Sequence, residues 1–340
     1  MSNQPVLDVR NLTKHFSLGG EKSFGRGQHR VVHAVDDVSF VLRNREVLAL
    51  VGESGSGKST IARLLARLYA PTAGQALFRG EDIFALNGRT RMRHYRSQMQ
   101  MVFQDPFGSL NPVKTAAYHI ERPLKIHHKV RGRTELRDEV WKLLRTVGLT
   151  PEREMAAKLP HEMSGGQRQR VSFARALAVN PSVILADEPV SMLDVSIRMG
   201  ILNLMADLRD DRGLSLLYIT HDLASARYLA DRTMVLYAGQ VMESGTSRAV
   251  MSDPLHPYTQ LLLSAVPEPK SALVNRRVAV TGEVASGINP GPGCRFAARC
   301  PRVMDVCRAH TPTLTEAQPG HWVRCHLYTP AGAVTPARAV

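Results

Sequence analysis

The chain has 340 residues, 44% of them hydrophobic and 22% charged. That is enough apolar material for one large domain with an appendage or for two modest domains, and it excludes a disulfide-stapled miniprotein. The 44 Lys and Arg against 30 Asp and Glu give a formal net charge of +14, which calls for an anion nearby: nucleotide phosphates, an acidic lipid face or nucleic acid. Aromatic residues are only 6%, and no RNA-recognition or zinc-finger signature accompanies the charge, so no nucleic-acid partner is expected.

From Val6 to about Ala265 short apolar runs alternate with segments of helical period, the pattern of an α/β domain. LDVRNLTKHF and VVHAVDDVSFVL read as strands, separated by a Gly- and Arg-containing insert at 17–30 that reads as an exposed loop. VLALV (47–51) is a buried strand followed at once by GESGSGKST (52–60), and Ile61, Leu64, Leu65 and Leu68 then recur at helical spacing. Strand, G-x-x-x-x-G-K-[ST] and helix together are the context that a phosphate-binding loop requires. The candidate binding residues are Gly52, Glu53, Ser54, Gly55, Ser56, Gly57, Lys58, Ser59 and Thr60. The glycines let backbone N–H groups turn toward phosphate oxygens at a helix N-terminus, Lys58 reaches the β- and γ-phosphates, and Ser59 offers its hydroxyl to Mg²⁺.

MSGGQRQRVSFARALAVNP (163–181) reads as a helix capped by Ser164, with an apolar stripe of Val171, Ala174, Leu177 and Ala178 and an end at Asn180-Pro181. Gly165 and Gly166 are costly in a first helical turn unless something approaches the backbone, and an anion at the helix N-terminus would explain them. VILADE (183–188) is a second buried strand ending in two acids. Strand alternation sends Asp187 and Glu188 in different directions, the first toward Mg²⁺ and the second toward the attacking water. LSLLYITH (214–221) is a third strand, placing His221 where an imidazole can meet a γ-phosphate and hold Glu188. TMVLYAGQVMESG (233–245) suits a hairpin turning at Ala238-Gly239.

Beyond 265 the texture changes to a Pro-, Gly- and Ala-rich stretch, read as a linker and a small loop-rich module, 266–340, that holds all four cysteines. Cys294, Cys300, Cys307 and Cys325 follow C-x5-C-x6-C-x17-C. No apolar stretch approaches the ~18 residues of a membrane-spanning helix, and MSNQPVLDVRN has no secretory h-region, so a cytoplasmic chain is expected, in which disulfides are disfavoured. Zinc sites usually show C-x2-4-C pairs. An iron–sulfur cluster, zinc and plain buried thiols all remain compatible with the spacing.

The motif order 52–60, VFQDP with Gln104, SGGQR (164–168), 183–188, SMLDVS (191–196) with Asp194, and His221 resembles that of the ATP-binding subunits of ABC transporters over the first 265 residues. The resemblance implies an ABC-type P-loop ATPase fold: a mixed sheet core, an antiparallel β subdomain and a helical signature subdomain at about 105–180. It further implies head-to-tail dimers in which Ser164, Gly165, Gly166 and Gln167 of one chain close on ATP held by the other. Catalysis then falls to Glu188, His221 and Gln104, Mg²⁺ to Ser59, Asp187 and Gln104, and communication across the dimer to Asp194. The D-loop carries Met192 where alanine is usual, and Phe16, Phe24 and His29 are the candidates for stacking on adenine.

The phrases VGESGSGKST, MVFQDPFGSLNP (101–112), LPHEMSGGQRQR (159–170), DEPVSMLDVSI (187–197) and DPLHPYTQLLLSAVP (253–267), with the N-terminal insert, are most similar to the F-type ATPase of oligopeptide/dipeptide importers. That resemblance implies a paralogous D-type ATPase subunit as heterodimer partner, two integral-membrane permease subunits, an extracytoplasmic solute-binding protein, and a position on the cytoplasmic face of the inner membrane. It also favours a [4Fe-4S] cluster on the four cysteines. The competing expectation is a soluble ABC ATPase of translation or DNA repair, but such chains carry two ATPase halves or a long coiled coil, and neither is present here.

Overall fold

The computed structural model describes residues 5–18, 30–265 and 287–328. Most of the 17–30 insert, the linker at 266–286, the end of the chain, and the adenine candidates Phe24 and His29 lie outside the described residues. Strands β1 (Leu7–Ser17), β2 (Val31–Leu42), β3 (Val47–Val51), β4 (Ala73–Phe78), β5 (Glu81–Asp82) and β6 (Met99–Val102) come first. A run of helices follows, then β7 (Val183–Asp187), β8 (Ser215–Thr220), β9 (Arg232–Tyr237), β10 (Gln240–Thr246), β11 (Thr315–Gln318) and β12 (His321–Val323). They form two sheets. A four-stranded antiparallel sheet has the order β2-β1-β4-β5, and an eight-stranded mixed sheet has the order β11-β12-β10-β9-β3-β8-β7-β6.

The middle of the large sheet is parallel from β9 to β6, and its strands are buried on both faces. Val47, Ala49 and Val51 of β3 enter one apolar cluster while Leu48 and Leu50 enter another. That is why VLALV is apolar without alternation. The first cluster continues into the helices Ala116–Ile126, Arg133–Thr146 and Gly165–Leu177, and the second is closed by the antiparallel sheet. Each fully buried Leu or Val in these layers is worth roughly 1.5–3 kcal/mol of transfer free energy, so both layers are held to the sheet by its two faces.

Two local expectations shift. The helix after the phosphate loop runs Lys58–Leu65 and ends there, leaving Leu68 exposed rather than on the core stripe. Glu188 lies one residue past β7 with φ 46°, so its direction is set by a left-handed turn and not by strand alternation. The hairpin of β9 and β10 turns at Ala238-Gly239, with φ 44° and 86°, as a two-residue turn with both central residues left-handed.

The segment 287–328 returns to the large sheet. β12 pairs antiparallel with β10 through Glu243–Val323 and Ser244–Trp322, and β11 pairs with β12. Near its start, Ile288 bridges Val32 of β2, and His33 N–H donates to Gly287 O at 2.7 Å. Phe296 packs with Tyr237 and Tyr258 in a separate apolar cluster, against which Cys294 and Cys300 lie.

Candidate nucleotide site

Register places four chain ends side by side. Val51 pairs with both Thr220 and Val235, Asp187 with Ile219, and Val102 with Ala186. The loop 52–60, Glu188, His221 and Gln104 therefore leave the carboxyl ends of adjacent parallel strands, where ligands of open α/β sheets bind. They border one cavity of about 690 Å³, whose other walls are Val32, His33, Ala34, Ala238, Leu262 and Gly287. That volume lies in the range of about 300–1,000 Å³ found for small-molecule sites.

The loop is tightly buttressed. Gly57 has φ 104°, and a Cβ there would stand 2.2 Å from Ala34 O, so only glycine permits this approach of β2 to the start of the helix. Lys58 is buried and donates to Gly52 O and Glu53 O at 2.7 Å and to Ser56 Oγ at 3.3 Å. Burial lowers its pKa, opposed by the carboxylates of Glu188, Asp187 and Glu53.

Two of the three residues expected at Mg²⁺ meet: Ser59 Oγ donates to Asp187 Oδ1 at 2.8 Å. Burial raises the Asp187 pKa, the hydrogen bond from Ser59 opposing it. A hydroxyl beside a buried carboxylate at the foot of a phosphate loop is the oxygen donor set that suits a small divalent cation. Glu188 is reached from two sides. Gln104 Nε2 donates to Glu188 Oε2 at 3.1 Å, and His221 Nδ1 lies 3.2 Å from the same oxygen. A general base needs its partners within this reach, and the three residues expected to act in hydrolysis converge on one carboxylate oxygen.

The signature is elsewhere. Ser164 caps the helix Gly165–Leu177 by accepting from Gln167 N–H at 3.2 Å, while Gln167 Oε1 accepts from Ser164 N–H at 3.0 Å. Neither these residues nor Gly165, Gly166 and Asp194 border the cavity. Asp194 is exposed at the N-cap of the helix Val195–Arg212, between exposed Met192 and Val195. The glycine pair has a steric cause within the chain. A Cβ on Gly166 would come to 2.4 Å from Ile197 Cγ2, and one on Gly165 to 3.2 Å from Leu193. D-loop packing thus favours small residues here, most strongly at Gly166, alongside any role in holding an anion.

Phe16 is drawn away from the cavity: it packs edge-on against Tyr69 at 5.6 Å with Lys14 over its ring. Besides His221, the ring of His33 borders the cavity, and sequence reasoning missed it. It stacks on His15 at 3.7 Å, and burial, then the nearby His15, lower its pKa, opposed by Asp36. Only the pairing of β2 with β1 and the return of Gly287 bring it there, and no motif marks it. His15, His33 and Asp36 bring three potential metal-ligating atoms within 4.8 Å of one another. However, Asp36 already accepts from the Arg295 guanidinium, so its charge is matched by the chain itself.

The four cysteines surround one small enclosed cavity of about 10 Å³, room for about one water. Burial raises the thiol pKa of Cys294 to about 12 and of Cys325 to about 11. Among the described residues no three cysteine sulfurs lie within 4.8 Å of one another. A tetrahedral zinc site at Zn–S of about 2.3 Å needs closer sulfurs than that. As placed, the cavity is also too small for the expected cluster, and the sulfurs are not arranged around one.

Comparison with known proteins agrees with the geometry. The family described as "ABC transporter" matches residues 35–191, and "Oligopeptide/dipeptide transporter, C-terminal region" matches 242–307. The oligopeptide transport ATP-binding protein AppF of Bacillus subtilis is 45% identical over 332 residues, covering 96% of this chain and 99% of that one. A probable peptide ABC transporter ATP-binding protein of Sinorhizobium fredii is 46% identical over 328 residues, covering 96% and 91%. Among solved structures, the dimeric post-hydrolysis state of the ATP-binding cassette MJ0796 bound to ADP and Pi aligns with a TM-score of 0.62 at 30% identity, over 71% of this chain and 99% of that one. The chain belongs to the ATP-binding proteins of ABC transporters, with the C-terminal region of the oligopeptide/dipeptide group, and its fold is that of an ABC ATPase.

Proposed function

We propose that the chain hydrolyses ATP as one half of a head-to-tail dimer and thereby powers import of di- or oligopeptides, or a related solute, across the cytoplasmic membrane. The convergence of Gln104 and His221 on Glu188 Oε2, beside Lys58 and the Ser59–Asp187 pair, is the observation that carries the chemistry. Loop 52–60 and Lys58 hold the phosphates. Glu188 takes a proton from water as the water oxygen bonds to the γ-phosphorus. The bond from that phosphorus to the β–γ bridging oxygen breaks, leaving ADP and phosphate. His221 orients Glu188. Ser59 and Asp187 would hold Mg²⁺, with the Gln104 amide oxygen as a third donor, and the ion supplies charge neutralisation at the phosphates.

The dimer is supported by incompleteness: the signature residues and Asp194 do not border their own chain's cavity, and a second chain would bring them. We take that chain to be a paralogous D-type subunit. Two permease subunits would dock on the helical subdomain, about 105–180, where Val113, Tyr118 and Ile126 are exposed, next to the exposed Phe103 just before it. An extracytoplasmic binding protein would deliver the solute. No helix among the described residues is long and apolar enough to cross a membrane, which fits a peripheral subunit on the cytoplasmic face of the inner membrane. Residues 1–265 would form the ATPase domain and 266–340 the transporter-type extension.

A [4Fe-4S] cluster is kept as a proposal on the chemistry of the donor set alone. Four thiols face one cavity, and binding requires the sulfurs to rearrange around the cluster. The test of the whole reading is purification of the tagged chain from detergent-solubilised membranes under anaerobic conditions. Recovery of a second ATPase and two multi-spanning subunits is expected, with about four iron and four acid-labile sulfide per chain if the cluster is bound. Recovery of ribosomes or repair proteins would support the soluble alternative, and a preparation free of iron would remove the cluster.

A further inference from the structure

Glu53 is an odd residue for a polyanion site, because it places a carboxylate on the cavity wall among the groups that are to meet phosphates. The structure supplies its counter-charge from far along the chain. Arg299, in the turn Ala297–Arg299, forks onto it, with Nη1 donating to Oε2 at 2.7 Å and Nη2 to Oε1 at 2.9 Å. The Arg299 side chain is 9% exposed. Its guanidinium lies over the rings of Tyr237 and Phe296 at 5.7 and 5.9 Å, so little freedom is left to lose when it pairs. The backbone of the same glutamate is pinned too, since Glu53 N–H donates to Tyr258 Oη at 2.9 Å. A second arginine acts in parallel. Arg295 donates to Ala238 O at 2.8 Å and to Asp36, and the neighbouring Gly239 N–H donates to Ser56 O at 3.0 Å.

We propose that Arg299 is a positioning residue for phosphate binding: by fixing and neutralising the Glu53 carboxylate, the C-terminal segment sets the affinity of loop 52–60 for MgATP. This rests on the reading of that loop as the ATP site. Two unit charges a few ångström apart at a partly buried site interact by several kcal/mol before screening, and a hydrogen-bonded charge pair of this kind is worth more than a neutral one. Loss of Arg299 leaves Glu53 facing the phosphates unpaired, and the repulsion falls on the ligand. A purely structural staple makes a different demand, because for a staple the loss of either partner is the same loss.

The test is equilibrium binding of MgATP to the full-length chain at two salt concentrations, with thermal unfolding recorded for each variant. Arg299→Gln is expected to weaken binding on the order of tenfold, more at low salt. Adding Glu53→Gln to that variant is expected to restore most of the affinity, because the offending charge is then gone. Arg299→Lys, which keeps the charge and loses the fork, is expected to fall between wild type and Arg299→Gln. A double variant no tighter than Arg299→Gln would overturn the proposal, as would unchanged affinity in Arg299→Gln or a lysine variant as weak as the glutamine one. Lys58→Ala in the same titration separates the two levels. Retained binding there sinks the nucleotide assignment and the proposal with it, whereas lost binding there with intact binding in Arg299→Gln sinks the proposal alone.

Discussion

Glu188 carries the heaviest chemical load of any single side chain, and its placement depends on one backbone torsion. The residue follows β7 with φ 46°, and its N–H donates to Ile219 O at 2.9 Å, which turns the carboxylate toward Gln104 and His221. Substitution by Gln keeps the shape and removes the base. Glu188→Gln is expected to lower the rate of phosphate release by roughly 10²–10⁴-fold, the usual share of general-base assistance, while MgATP binding is retained. A single-turnover assay of the purified chain with its partner decides it, and wild-type turnover would refute the role. At this scale the sequence was informative: loop 52–60, Asp187, Glu188, His221 and Gln104 could all be named from linked motifs. His33 could not, since a lone histidine in a strand has no motif, and neither could the packing of Phe16 on Tyr69. The Arg299–Glu53 pair spans 246 residues, and no local pattern announces it.

Among elements, the buried strands were legible because a strand covered on both faces must be apolar throughout, and VLALV matches β3 residue for residue. What the pattern could not show was which elements touch. The glycines of the signature helix read as an anion site, and the pattern gave no sign that Ile197 and Leu193 also pack closely over them. The same limit hid the polar junction that fastens the C-terminal hairpin. Glu243 of β10 accepts from the N–H groups of Leu255 and His256 at 2.9 Å and lies 2.7 Å from His321 Nε2 of β12. His256 caps the helix Pro257–Ser264 by accepting from Tyr258 N–H at 3.0 Å, and its ring also bonds the Arg324 backbone. Burial is the main cause that lowers its pKa to about 4, opposed by Glu243. Above the unfolded value of about 6.5 both states hold a neutral ring. As pH falls from there toward 4 only the unfolded state takes up the proton, so stability is lost with acid. This group alone is expected to remove about 2 kcal/mol between pH 7.5 and pH 5. His256→Asn preserves a capping oxygen and should flatten that part of the profile. Urea unfolding of both chains at the two pH values measures it, and an equal slope in the variant would place the acid sensitivity elsewhere.

For the whole molecule, composition marked a change at 266, and the structure shows what composition cannot: residues 287–328 come back to extend the large sheet, close one wall of the cavity with Gly287 and put Arg299 on the phosphate loop. Pairing between strands some 80 residues apart leaves no trace in either strand's own pattern. The molecule is still unfinished as a machine, because Ser164 is exposed, caps its own helix and does not border its own cavity. If the site is completed by another chain, nucleotide binding and dimer closure must separate on substitution. In a Glu188→Gln background, MgATP is expected to convert the chain, alone or with its paralogue, to a dimer detectable by light scattering after size exclusion. Adding Ser164→Arg puts a bulky cation where two chains would close and should abolish that dimer, while the monomer binds MgATP with unchanged affinity. Were the signature instead to serve its own chain's ATP, through a swing of the helical layer, Ser164→Arg would weaken binding in the monomer itself. Loss of the dimer with intact monomer affinity is the outcome that the separation of Ser164 from the cavity demands.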